Sequence, residues 1–471
     1  RRSTMMLSRL HVPVLLLYPL LVPIICHSAA VIDVVDHGAV GDGATDDTAA
    51  IHKALHLASS SSCTTSATVL FPWGRTFLTG PLNLTTNVTL HVDGTIQAIN
   101  GYNMDDGGEY IQTKWPQLPP LPTYGNSRDG RYLQHQAVIY ANNVTNIRIT
   151  GKGTIDGGGP YWWDNQFNRT LLPAGRPNLI QVVNSSEVTI DSVTLTDSPF
   201  WTVHPVLCTN VHIHHTTLRA RMYAPNVDGI DPDSCRNVMI ESNDVSVGDD
   251  HIAIKAGVCG TSSPNDCRTS QFMNQKLYST ENVTVRNNIF RIGMGIAVGS
   301  ESSGSIRNVN VYDNVVGLCD SGHCNNTCCG WGPALHIKTT PTRGGVIENI
   351  VYRNNTVYNN TGFIFVEMSY QSKDDEIPKD YPPTLVRNIS FINNHALGRA
   401  VGVTFECAEN DVCENFVVIN NTVAAAKADQ DIWNCRFIKT FTVSGNTPAG
   451  LERCMEQSMN QTAVAAAVAL P

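Results

Sequence analysis

The chain predicts an all-β fold, a parallel β-helix in which like coils of strand stack on one another. Three observations lead there. A short unit reading Asn, apolar, any, apolar recurs through most of the 471 residues. Uninterrupted copies lie 23, 27 or 26 residues apart (Glu187 to Asn210, Asn210 to Asn237, Asn282 to Asn308), a period that marks a solenoid. Apolar and polar residues alternate inside each copy, the periodicity of a strand and not of a helix, and Asn, Gly and Ser clusters between copies supply turns.

In chain order, Met5-Met6, Arg9, the apolar run Val12 to Cys26 and the small residues Ser28-Ala29-Ala30 read as a signal peptide over residues 1–28. Pro13, Pro19 and Pro23 break that run, so cleavage is preferred to a membrane-spanning helix. The glycine-rich Gly38 to Gly43 opens no βαβ unit, which argues against a nucleotide-binding turn. Thr45 to Leu55 predicts a helix capped by Asp46 or Asp47, with Ile51, Leu55 and Ala58 on one face. Such a helix would cover the open end of a solenoid, where apolar core and strand edges are otherwise exposed.

The strand repeats follow: Asn87-Val88-Thr89-Leu90, Asn146-Ile147-Arg148-Ile149, Asn210-Val211-His212-Ile213, Asn237-Val238-Met239-Ile240, Asn282-Val283-Thr284-Val285, Asn308-Val309-Asn310-Val311, Asn349-Ile350-Val351-Tyr352 and Asn388-Ile389-Ser390-Phe391. Glu187-Val188-Thr189-Ile190 is a copy without the Asn. Stacked coils would bury the apolar row and let the Asn side chains bond up and down the stack. One domain is expected over residues 29–455, with 456–471, including the Ala-rich end, as a flexible tail.

Hydrophobic residues make up 42% of the chain, enough for a large core, and the net charge of −9 gives no global attraction to a polyanion, nucleic acid included. Of the 14 cysteines, Cys26 falls in the leader, leaving an odd number suited to disulfides in an oxidising compartment. Cys259 with Cys267 and Cys407 with Cys413 are the expected local pairs, and Cys208 and Cys235 sit one coil apart. Cys319, Cys324, Cys328 and Cys329 do not space as zinc knuckles, so neither metal nor cofactor is expected. Twelve Asn-x-Ser/Thr triplets, Asn83, Asn143 and Asn168 among them, agree with a secretory route. A monomer in the extracellular space or cell wall is expected, with no membrane attachment after cleavage.

Chemistry concentrates between Asn226 and Asp250, in Asn226-Val227-Asp228-Gly229-Ile230-Asp231 and Gly248-Asp249-Asp250. Asp228 and Asp249 are 21 residues apart, one coil of the repeat, which would set them on neighbouring strands about 4.8 Å apart. Like charges crowded on the solenoid's outer wall push pKa values apart, so that one carboxyl keeps its proton while others ionise, as acid/base hydrolysis requires.

With these residues the chain resembles the polygalacturonases of glycoside hydrolase family 28, from about Val31 to Cys454. The family's motifs run Asn-x-Asp-Gly, Gly-Asp-Asp, Gly-His-Gly and Arg-Ile-Lys. This sequence has Asn226-Val227-Asp228-Gly229, Gly248-Asp249-Asp250, Gly293-Met294-Gly295 and His336-Ile337-Lys338. The resemblance implies a right-handed, single-stranded parallel β-helix that cleaves the α-1,4-galacturonosyl backbone of pectin. It also implies Asp249 as general acid, with Asp228 and Asp250 activating water for inverting attack. It places Lys338 against a galacturonate carboxylate, with Asn226, Lys255, His336 and Arg343 as further substrate-binding candidates. His204, His251 and Arg291 are other basic residues near the cleft, and Trp201 is either core or a sugar platform.

Met294 stands where the family has a histidine and cannot exchange a proton. His336 stands for an arginine and would hold a carboxylate only when protonated, near or below a reference pKa of about 6.5, which predicts an acidic optimum. The run Gly295 to Glu301 with Arg343-Gly344-Gly345 resembles a subgroup that lacks the histidine and includes exo-acting members. Insertions at 257–276 and 317–332 would close one cleft end. Two other readings stay open: a calcium-dependent pectate lyase, and a non-catalytic pectin-binding wall protein.

Overall fold

The computed structural model describes residues 30–60, 66–104, 107–124, 133–168, 170–258, 278–318, 330–340, 343–370, 384–398, 402–408, 413–424 and 432–468. The expected leader, the Cys259–Cys267 pair and the Cys319 to Cys329 group lie outside them.

The coils contribute strands to three faces, and every long sheet is parallel, giving a right-handed parallel β-helix. The first face is a 13-stranded sheet running from Val31–Asp33 to Phe441–Ser444. The second is a 12-stranded sheet from Asp42–Asp46 to Thr422–Val423. The third is a four-stranded sheet ending at Val203–Val206 and a six-stranded sheet beginning at Ile252–Ile254. Single bridges Val203↔Ile230 and Ile230↔Ile252 join these two, so one column of residues crosses the break. Asp228 stands two residues ahead of that bridge.

The second apolar residue of each repeat stacks in register on the next, as in Leu90↔Ile149, Ile190↔Ile213 and Ile240↔Val285. These residues are fully or almost fully buried in one continuous core. Burying an aliphatic side chain is worth about 1.5–3 kcal/mol, so the repeat's alternation becomes the stack's cohesion.

The repeat Asn residues form the expected ladder on the outside of the first sheet: Asn237 donates to Asn210 at 3.0 Å, Asn282 to Asn237 at 3.1 Å and Asn308 to Asn282 at 3.2 Å. Asn210 donates to Glu187 at 2.6 Å, so the copy lacking Asn still supplies the acceptor. Each ladder Asn has positive φ, 57° at Asn237 and 61° at Asn282, a backbone that Asn tolerates better than most residues. A second ladder is buried and was not foreseen. Asn243, Asn288, Asn314, Asn355, Asn394 and Asn421 each accept the backbone N–H of the preceding coil's Asn or donate to the next, as Asn243 N to Asn288 Oδ1 at 2.9 Å and Asn288 N to Asn314 Oδ1 at 3.1 Å.

Both ends are covered. The helix Thr48–Ser60 buries Ile51, Ala54, Leu55 and Ala58 against the first coils. Asp46 accepts from Thr48 N at 3.0 Å and so pairs an N–H of the first turn, while Asp47 O accepts the first helical bond, from Ile51 N. Asp47 turns back and accepts from Val40 N and Gly41 N at 2.7 and 3.0 Å, which fills the glycine-rich turn with the chain's own carboxylate. At the other end a flexible tail was expected from 456; instead Leu451–Val468 is one helix. Its Cys454 is bonded to Cys435 in the last third-face strand, Trp433–Arg436. Cys407 and Cys413 pair as expected, whereas Cys208 and Cys235 are free, buried thiols.

Candidate active site

The bridge Ile230↔Ile252 and the pairs Ile252↔Ile296 and Ile296↔Leu335 form one inward column of the third face. Two residues ahead of each stand Asp228, Asp250, Met294 and Pro333, on successive coils. The register therefore stacks Asp228 on Asp250, where the sequence spacing had suggested Asp249. Gly229 N donates to Asp250 O at 2.9 Å and Met294 N to Asp249 O at 2.8 Å. The motif glycines allow this approach: a Cβ on Gly229 would lie 2.3 Å from His251 O, and one on Gly248 2.1 Å from Ala224 O.

One carboxylate oxygen from each of Asp228, Asp249 and Asp250 lies within 4.8 Å of the others. The expectation that all three face solvent is corrected: Asp228 and Asp250 are each 3% exposed, and only Asp249 is half-buried. Burial, reinforced by Asp250, pushes the Asp249 carboxyl up to about 6. Burial, then Asp249, pushes Asp228 well above the usual carboxylate range. Asp250 is held differently, because Lys338 Nζ donates to its Oδ2 at 2.5 Å. Two groups that favour the proton thus stand beside one matched by an ammonium.

Two of the expected substrate cations stand on the trio, Lys338 against Asp250 and Lys255 against Asp228. Lys338 lies closer. It projects from the outward side of Pro333–Lys338, between Asp250 and the ring of Tyr370, 5.1 Å from the ring centroid. Lys255 is shared among more acids: its Nζ lies 3.3 Å from Glu301, 3.5 Å from Asp228, 3.8 Å from Asp231 and 4.3 Å from the Trp201 ring centroid. Lys255 is 3% exposed and Lys338 6%, so each is a nearly buried counter-charge to the acids around it. Arg343 is fully buried. His336 is 6% exposed with Nε2 3.6 Å from Glu367, and burial lowers its pKa. A neutral ring beside an acid does not replace the arginine fork. Asn226 is exposed at the mouth of the turn, with φ 54°.

His204 is buried 3.5 Å from Asp233, His251 bonds Ile292 O at 2.9 Å, and Arg291 grips Asp244 at 2.7 Å, so none of these reaches the trio. Trp201 is buried, stacked on Phe200 with centroids 5.0 Å apart, and is not a sugar platform. Sequence reading missed Tyr370, Glu301 and Arg176. Arg176 is buried and donates to Pro225 O at 2.7 Å, bracing the turn that carries Asn226 and Asp228. It lies 50 residues before Asn226, and no local motif marks it.

This site can offer a proton from Asp249 and accept one at Asp250. Residues 63–445 match the family described as glycosyl hydrolases family 28. The chain is 32% identical over 444 residues to a probable polygalacturonase of Vitis vinifera, covering 93% of this chain and 82% of that one. It is 29% identical to an endo-polygalacturonase of Pectobacterium carotovorum over 67% of this chain and 70% of that one. The crystal structure of an exopolygalacturonase from Thermotoga maritima superposes with a TM-score of 0.67 at 25% identity, covering 88% of this chain and 92% of that one. With the β-helix and paired aspartate motifs in place, the chain belongs to glycosyl hydrolase family 28.

Proposed function

We propose that the protein is an extracellular polygalacturonase that hydrolyses α-1,4-galacturonosyl linkages of pectin. The observation that carries this reading is the division of labour within the trio: Asp249 with its carboxyl raised to about 6, and Asp250 within 2.5 Å of the Lys338 ammonium. Asp249 gives its proton to the departing glycosidic oxygen, and Asp250 accepts a proton from the attacking water, so the sugar gains hydroxyl and the leaving chain gains hydrogen. Asp228, protonated between them, donates a hydrogen bond that orients the water. Lys338 and Tyr370 receive the galacturonate carboxylate and ring.

Inversion is proposed from family membership. One oxygen from each carboxyl lies within 4.8 Å of the others, a tight cluster for a pair usually held about 6.5–9.5 Å apart, and the attacking water is placed beside the trio. Proton NMR of the first-formed reducing sugar should show the β-anomer; the α-anomer would require a covalent intermediate. Exo action is proposed on the likeness to the Thermotoga enzyme, and a rapid fall in viscosity of polygalacturonate would contradict it.

The lyase reading needs a divalent cation on the carboxylates. Lys338 already holds Asp250 Oδ2, so activity should survive chelator, with no ultraviolet-absorbing product. Secretion is proposed from the leader and disulfides; among the described residues no helix is long and apolar enough to cross a membrane.

A further inference from the structure

The turn leading into Asp228 carries Arg221, Met222 and Tyr223 on its outside, all exposed, with Tyr223 65% exposed. Its base is fixed. Ala224 O lies against Gly248, the residue before Asp249, and Arg176 holds Pro225 O at 2.7 Å. Ala224 and Val227 pack on the buried Trp163, whose ring meets that of Tyr223 edge-on at 6.2 Å. A packed base therefore presents an exposed ring and a guanidinium next to Ala224, which lies against Gly248, the residue before Asp249.

Arg221 differs from several arginines of the outer faces, and Asp197 and Asp164 are the acids whose charge reaches it. Arg148, Arg219, Arg286, Arg291 and Arg307 each hold a carboxylate within 2.6–2.8 Å. Arg221 instead donates to the Tyr223 hydroxyl at 2.6 Å and, among the described residues, makes no ion pair. A planar guanidinium matches a carboxylate bidentately, and an exposed aromatic face suits the apolar face of a sugar. With the chain at −9 overall, attraction for a polyanion must come from such local cations.

Resting on the polygalacturonase reading, we infer that Arg221 and Tyr223 form an additional uronate subsite on the N-terminal side of the aspartate trio, which binds one sugar of a long galacturonate chain through its carboxylate and ring.

The test is calorimetric binding of tri- and hexagalacturonate, and of fully methyl-esterified hexagalacturonate, to Asp249→Asn protein with and without Arg221→Ala or Tyr223→Ala. Both added substitutions are at exposed positions, and circular dichroism checks the fold. Arg221→Ala should weaken hexamer binding about tenfold or more, the worth of a charge-assisted hydrogen bond, with less than about a third of that factor for the trimer or the methyl ester. Tyr223→Ala should weaken acid and ester hexamers alike. Equal affinities across the variants, or an Arg221→Ala loss that is the same for every ligand, would overturn the subsite. Binding that depends on Arg221 in a wild-type protein that releases no reducing sugar would instead sink the hydrolase reading and leave the subsite standing.

Discussion

Lys338 sets its ammonium against Asp250, while burial and like charge favour the proton on Asp249 and Asp228. The acid must carry its proton, so kcat should fall as pH rises through about 6, the value to which Asp249 is raised. A pH–rate profile on trigalacturonate measures this directly. Lys338 also holds Asp249 down. Lys338→Met should therefore move the alkaline limb to higher pH while kcat/KM falls with loss of the substrate's carboxylate partner. The acidic optimum anticipated from His336 now belongs to Asp249: burial keeps His336 neutral to lower pH, and His336→Arg should leave the alkaline limb in place. Asp228, Asp249 and Asp250 were legible because two glycine-bearing motifs fix them locally. Glu301, Tyr370 and the fate of Lys255 were not, because they depend on which side chains three separate coils bring together.

The two Asn ladders behave differently because one is wet and one is dry. Asn314 is 1% exposed; it accepts from Asn288 N and donates to Val285 O and Tyr312 O at 3.0 Å. Asn314→Ala leaves those buried groups unpaired and should lower the unfolding free energy by about 2–4 kcal/mol in urea titration. Asn308, on the exposed ladder with φ 58°, should lose about 1 kcal/mol on change to Ala, chiefly from the left-handed backbone, and almost nothing on change to Gly. The outer ladder was readable since an Asn opens every apolar pair named above but the one at Glu187. The inner ladder was hidden because each Asn is a single turn residue that follows different neighbours, Ser242, Asn287 or Asp313. Register was the other blind spot: the spacing of Asp228 from Asp249 and from Asp250 differs by one residue, and only the Ile230↔Ile252 bridge chooses.

The whole solenoid needs its ends closed, and the Cys435–Cys454 bond pins the terminal helix to the last coil over a separation of 19 residues. Cys454→Ser should lower stability by about 2–4 kcal/mol, seen as a lower thermal midpoint. Activity at 25 °C should persist, because the trio sits many coils away. The overall architecture was legible because stacked repeats write the same pattern again and again, whereas a cap is written once. The Leu451–Val468 helix has a short apolar face, Leu451, Cys454 and Met455, ahead of its alanines, and its place is set by the coil beneath.

Cleavage of a defined galacturonate oligomer by the unaltered protein and by Asp249→Asn is the most direct measurement of all. Saturated galacturonate should appear with the first and fall by about 10²–10⁴ in kcat with the second, the usual worth of a general acid. Equal rates for the two proteins, or an unsaturated product from either, would contradict the assignment of Asp249 as the proton donor in a hydrolysis.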